Sequence, residues 1–135
     1  MDYSQDQDKP VRSVSDSELE ILKTLWQFGR LKVGDVRERL NRDGRQRAYN
    51  TVQTLLNRLE AKGYVGSSKQ GRAFVFYANV SQTQYLSGHL KNLADRVCQG
   101  SEAPLMLALV EGNRFSREEI RRFRSLLDRL EEAGD

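Results

Sequence analysis

The stretch Tyr49-Asn-Thr-Val-Gln-Thr-Leu-Leu-Asn-Arg-Leu-Glu-Ala-Lys-Gly63 limits the possible folds of this chain more than any other. Val52, Leu55, Leu56 and Leu59 recur at the three-and-four spacing of one helical face, so a single apolar stripe must be buried against other elements. At about 100 degrees per residue the opposite face carries Asn50, Thr54, Asn57, Arg58 and Ala61, with Thr51 and Gln53 on its flanks. These are mostly short or medium hydrogen-bonding side chains, not the Glu and Lys that usually solubilise an exposed helix. Asn and Gln pair bidentately with adenine, Arg forks onto guanine, and a Thr methyl rests on the thymine methyl. A dry back and such a front read as a recognition helix; the plainer alternative is an amphipathic helix whose polar face is merely wet.

The 135 residues suit one domain, or a small domain with an oligomerisation appendage. A hydrophobic content of 38% supports a modest core, and two prolines with strong periodicity point to a largely helical protein. The net charge is only +3, but its distribution is lopsided. Residues 21–80 hold twelve Lys or Arg against four Asp or Glu, whereas residues 81–135 hold eight against nine. Positive potential thus gathers around the candidate recognition helix, as phosphate binding with counterion release requires.

Cys98 is the only cysteine and His89 the only histidine, which leaves no disulfide framework within one chain and no Cys/His set for zinc or copper. No metal, cofactor or catalytic residue is expected. Cys98 reads as a small, buried or half-buried hydrophobe. The polar start Met1–Val11 does not resemble a signal peptide, and no run approaches the roughly 20 apolar residues that span a bilayer. These features predict a cytoplasmic protein without membrane insertion.

Residues 1–12 lack apolar periodicity and read as a mobile tail. Ser15 with Glu18 has the form of a capping box opening a helix that turns Leu19, Leu22 and Trp26, with Ile21 and Leu25, inward as far as Gly29. Trp26 is expected at the centre of the core. A link from Leu31 to Gly34 leads to a short helix ending near Leu40, with Val36 and Leu40 inside. The connector Asn41-Arg-Asp-Gly-Arg-Gln-Arg47 carries three arginines, Arg42, Arg45 and Arg47, close to the start of the recognition helix; they read equally as phosphate clamps or as part of a solvated loop. After Gly63, two β-prone runs, 64–68 and 73–78, are joined by Lys69-Gln-Gly-Arg72. Three helices and a hairpin with a basic tip make a winged helix over residues 13–80, with Lys69 and Arg72 set beside the DNA backbone or minor groove.

Residues 81–135 change character. Ser81 with Gln84 caps a helix repeating Leu86, Leu90, Leu93 and Val97; Gly100 to Pro104 breaks it. Leu105, Leu107, Leu109 and Val110 form a short apolar segment, and Ser116 with Glu119 caps a last helix carrying Ile120, Phe123, Leu126, Leu127 and Leu130. These stripes exceed what a small domain covers alone, so a second copy of the chain is the expected partner.

The chain resembles the bacterial penicillinase-repressor family, the BlaI/MecI/CopY group of transcriptional repressors. The resemblance rests on Val14-Ser-Asp-Ser-Glu-Leu-Glu-Ile-Leu-Lys-Thr-Leu-Trp26, on Asn50–Gly63, on Gly71-Arg-Ala-Phe-Val-Phe-Tyr77 and on Ser116-Arg-Glu-Glu-Ile120. It implies a mostly α protein with a small β-hairpin: an N-terminal winged helix-turn-helix on a dyad operator and a C-terminal helical region forming the homodimer. By position, groove reading falls to Asn50–Lys62, Lys62 included, and the wing to Lys69–Arg72. It also implies a membrane-bound sensor metalloprotease as partner, but the family's Asn and Phe cut site has no counterpart in Ala94-Asp-Arg-Val-Cys98. The clustered cysteines of the copper-responsive branch are absent from Glu131-Glu-Ala-Gly-Asp135. A ligand-responsive regulator and a winged-helix protein-interaction module are the competing readings; an enzyme finds no constellation to work with.

Overall fold

The computed structural model describes residues 13–134. The expected tail, residues 1–12, lies outside them. The elements run α1 (Asp16–Phe28), β1 (Leu31–Lys32), α2 (Val33–Arg42), α3 (Tyr49–Ala61), β2 (Val65–Gln70), β3 (Ala73–Ala78), α4 (Gln82–Val97), α5 (Ala103–Gly112) and α6 (Arg117–Gly134).

Local chemistry sets most of these limits. Ser15 opens α1 with a reciprocal cap, in which the Glu18 amide donates to the Ser15 hydroxyl (3.1 Å) and the Ser15 amide donates to the Glu18 carboxylate (2.9 Å). The same device opens α4 through Ser81 and Gln84, and α6 through Ser116 and Glu119. Each box satisfies two of the orphan amides at a helix start. Gly29 and Gly63 end α1 and the α3 turn with positive φ, a backbone state that costs a Cβ-free residue least.

The core is the junction of α1, α2, α3 and the sheet. Ile21, Leu22, Val36, Val52, Leu56, Leu59 and Tyr64 are fully buried there, with Leu25, Leu40, Leu55 and Phe76 nearly so. The apolar stripe of α3 is thus wholly inside. The face of α1 is rotated from the expected one: Glu18, Ile21, Leu22 and Leu25 are buried while Leu19 and Trp26 are only half-buried. Tyr64, not Trp26, fills the centre. Trp26 stands at the rim, its indole N–H donating to the Val80 carbonyl (2.8 Å) and its ring edge-on to Tyr85 at 5.6 Å. Tyr85 also meets Tyr64 at 5.8 Å and stacks on His89 at 4.2 Å, so α4 leaves the winged helix through an aromatic joint. Burial pushes the Tyr85 phenol up, which keeps it neutral.

The sheet is three-stranded, antiparallel, in the order β1-β3-β2. The link at Leu31 and Lys32 is therefore a strand, pairing with Phe76 and Val75. Two residues rarely signal a strand in sequence; pairing with β3 makes this one. The second helix reaches Arg42, so Asn41 belongs to it and not to the connector.

Beyond the aromatic joint the helices change their relation to the core. Leu90, Leu93 and Leu105 are half-buried, but Leu86, Val97, Leu109, Ile120, Phe123, Leu126, Leu127 and Leu130 are exposed, as are Met106, Leu107 and Val110. Neither α5 nor α6 buries any residue.

The buried Glu18 binds the two ends of the core together. Its carboxylate accepts from the Lys62 ammonium at 2.7 Å, and Lys62 also donates to the Ser13 carbonyl at 2.8 Å. Burial alone would raise the Glu18 carboxyl, but the Lys62 hydrogen bond and charge, together with Ser15, outweigh it and hold the group below its ordinary 4.5. A carboxylate held low in the folded state contributes stability above its unfolded value, and loses it as pH falls through the folded one. The wild type should therefore lose stability below about pH 4.5 more steeply than Glu18→Gln, as urea midpoints across a pH series will record. Lys62→Ala should cost about 1–3 kcal/mol at neutral pH, less than for a fully buried pair because water reaches the ammonium.

Candidate nucleic-acid interface

With Val52, Leu55, Leu56 and Leu59 buried, the front of α3 is fixed outward. Asn50, Thr51, Thr54, Asn57, Arg58 and Ala61 are exposed and Gln53 is half-exposed. The Gln53 amide donates to the Asn57 side-chain oxygen at 3.1 Å across one helical turn, which aligns two amides along the outward face. Ala48 precedes α3 and no side chain closes its first amides; its first turn carries no acidic residue. Those amides and the positive end of the helix dipole are open to an anion.

The wing is built by cross-strand packing. Gly71 has φ +63° while Arg72 stays at ordinary φ, which matches a two-residue turn with glycine first. Lys69 lies on β2 opposite Phe74, one residue before the tip, and both Lys69 and Arg72 are exposed. Gly66 faces Tyr77, and a Cβ on Gly66 would come within 2.7 Å of the Tyr77 ring. The Arg30 guanidinium lies 4.3 Å over the same ring and donates to the Ser68 hydroxyl at 3.4 Å. The wing is thereby stiffened at its base.

An open groove of about 400 Å³ separates the wing from the start of α3, lined by Lys32, Tyr49, Gln53, Arg72 and Phe74 among others. Lys32, Tyr49 and Phe74 were not among the candidates drawn from the sequence. Tyr49 lies one turn before Gln53, a signal that could have found it. Phe74 shares a strand face with the buried Phe76 but lies two residues nearer the tip, where the core ends, so alternation alone reads it as interior.

The basic residues divide into two groups. Arg58, Lys69 and Arg72 reach solvent. Arg45, Arg47 and Lys62 have carboxylate partners: Glu20 takes both arginines, at 2.9 and 3.0 Å, and Glu18 takes Lys62. Among the described residues no group of three or more His, Cys, Asp or Glu could hold a metal. Among the same residues no helix is long and apolar enough to cross a membrane.

Three helices packed on a small antiparallel sheet, with the third helix presenting a hydrogen-bonding face beside a basic hairpin, define a winged-helix DNA-binding protein. The family model of the penicillinase repressor matches residues 14–129, and the chain belongs to that family of BlaI/MecI-type DNA-binding repressors. Among curated relatives, the penicillinase repressor of Bacillus licheniformis is 28% identical over 89% of this chain and 93% of its own length. The methicillin resistance regulatory protein MecI of Staphylococcus aureus (strain N315) is 25% identical over 90% of this chain and 98% of its own. The solved DNA-binding domain of the repressor BlaI is 33% identical, covering 54% of this chain and 88% of that one, with a TM-score of 0.48.

Because the Tyr77 ring occupies the space above Gly66, Gly66→Ala should destabilise the fold by about 1–3 kcal/mol through overpacking. Placing it on a Tyr77→Ala background should cost much less, a coupling that a double-mutant cycle of denaturation midpoints will measure.

Proposed function

We propose that this protein is a dimeric, sequence-specific transcriptional repressor whose two copies of α3 enter successive major grooves of a dyad operator. The observation that carries the reading is the division of α3: its back is sealed in the core, while Asn50, Thr51, Gln53, Thr54, Asn57 and Arg58 face outward with no carboxylate among them. Those side chains have the donors and acceptors to read base edges. Lys69 and Arg72 on the wing add backbone contacts, whereas Arg45, Arg47 and Lys62, paired with Glu20 and Glu18, hold the ends of α3 in place.

Dimerisation supplies the second half of the argument. Beyond residue 81, Leu86 of α4, Leu107 and Leu109 of α5, and Ile120, Phe123, Leu126, Leu127 and Leu130 of α6 are exposed. Between α5 and α6 runs an apolar cleft of about 570 Å³, lined by Met106, Leu109, Phe115, Phe123 and Leu127 among others. At about 25 cal/mol per Å², covering such surface with a second copy is strongly favourable. Two half-sites bound in one complex combine their energies, so loss of the dimer releases the operator. Induction then acts on residues 81–135, by proteolysis from a membrane-bound sensor metalloprotease or by another signal that separates the pair, without altering the reading face.

Fluorescence anisotropy with the protein's own promoter duplex against scrambled DNA, over a salt series, tests the reading. Clear preference for the promoter and a stoichiometry of two chains per duplex are expected; equal, weak binding to both would overturn it. Arg58→Ala should lower promoter affinity by about tenfold, the scale of one good base contact, with the dimer intact by sedimentation. Leu127→Asp should sediment as a monomer and lose promoter binding at concentrations where the wild type is saturated.

A further inference from the structure

The connector between α2 and α3 is not a free loop. Its two arginines converge on one carboxylate of α1. Arg45 Nη1 lies 2.9 Å from Glu20 Oε2, and Arg47 Nη2 lies 3.0 Å from Glu20 Oε1. Arg47 Nη2 also donates to the Ser17 hydroxyl at 3.2 Å, its backbone amide donates to the Asn41 side-chain oxygen at 3.2 Å, and its carbonyl accepts from Arg37 Nε at 3.1 Å. Residue 47 is therefore tied to α1 through its side chain and to α2 through its main chain. Two residues later α3 begins, with no side chain capping it.

We infer that Glu20 is a positioning residue for DNA recognition: it holds the connector so that the first turn of α3 enters the groove at one angle, and it keeps the two arginines from binding phosphate indiscriminately. The inference rests on the DNA-reading role proposed above for α3. The exposures agree with this division. The Glu20 side chain is 17% exposed and that of Arg47 30%, so this pair is anchored in the fold; Arg45, at 57%, is its more solvated member. Each carboxylate oxygen accepts one charge-assisted hydrogen bond, and these are roughly twice as strong as neutral ones. One Glu against two Arg leaves this trio a single positive charge, which Asp43 in the same connector offsets, so the paired arginines do not bind phosphate strongly on any sequence. Freed from Glu20, the same guanidinium groups become two mobile cations beside the groove.

Positioning and mere stabilisation predict different results for Glu20→Gln, which keeps the size and one acceptor but loses the charge. If Glu20 positions α3, promoter affinity falls while affinity for scrambled duplex rises, because released arginines gain phosphates. The promoter-to-scrambled ratio should drop by about tenfold, the order expected when a charge-assisted hydrogen bond is released. On scrambled duplex the slope of log K against log salt should steepen by about 0.9 for each phosphate newly contacted. Arg47→Gln, with Glu20 intact, serves as the second variant and should also lower the ratio, without the steeper slope. The wild-type chain and both variants are measured by anisotropy on the two duplexes, with urea midpoints taken alongside. If Glu20→Gln lowers the midpoint and weakens both duplexes equally, Glu20 only stabilises the fold and the inference fails. If the variant binds both more tightly with the ratio unchanged, Glu20 merely competes with phosphate, and again the inference fails. A wild type without preference for the promoter duplex would instead overturn the repressor reading itself.

Discussion

The burial of one helical stripe orders the rest of this structure. Val52, Leu55, Leu56 and Leu59 lie in the core, and no rotation of α3 about its axis is possible without exposing at least one of them. Fixing the back fixes the front. The side chains that face solvent, Asn50, Thr54, Asn57 and Arg58, are therefore presented in one register by a constraint they play no part in making. The hydrophobic effect holds one side of the helix in the core and leaves the hydrogen-bonding side chains on the other.

Burial sets the rotation of α3, but it does not by itself set the tilt or the position of its ends. Charged groups take that role. Glu18 and Glu20, two residues apart on α1, face different directions; the first meets Lys62 just beyond the end of α3 and the second meets Arg45 and Arg47 just before its start. A helix held at both ends and sealed along its back is a rigid probe, and rigid presentation spares the entropy of ordering it at the moment of binding. The wing follows the same plan through Arg30, Tyr77 and Gly66 at its base, leaving Lys69 near the tip and Arg72 in it exposed.

Helices α4 to α6 answer a different requirement. Their apolar residues are spaced for packing yet remain exposed in the single chain, and the aromatic joint of Trp26, Tyr64 and Tyr85 connects them to the winged helix. Such a division separates the hydrogen-bonding face of α3 from the exposed apolar residues of α4 to α6, so a change in one need not deform the other.

Much of this was written in local sequence. The three Ser-x-x-Glu/Gln boxes, the glycines at 29, 63 and 71 and the leucine periodicities are short-range signals, and a chain needs only its neighbours to obey them. The exposed face of α3 followed from periodicity for the same reason. What the sequence could not specify was which distant group each charge would meet. Arg47 and Glu20 are 27 residues apart, and Lys62 and Glu18 are 44 apart, so three cations that look like phosphate ligands in a linear reading acquire carboxylate partners when α1 packs across both ends of α3. Trp26 was displaced from the centre by Tyr64, and Leu31 became a strand, by the same return of the chain. By itself the sequence determined the elements and their faces, because helical and strand periods are local; the tertiary structure alone decided the pairing of charges and the filling of the core, because those depend on contacts between residues far apart in the chain.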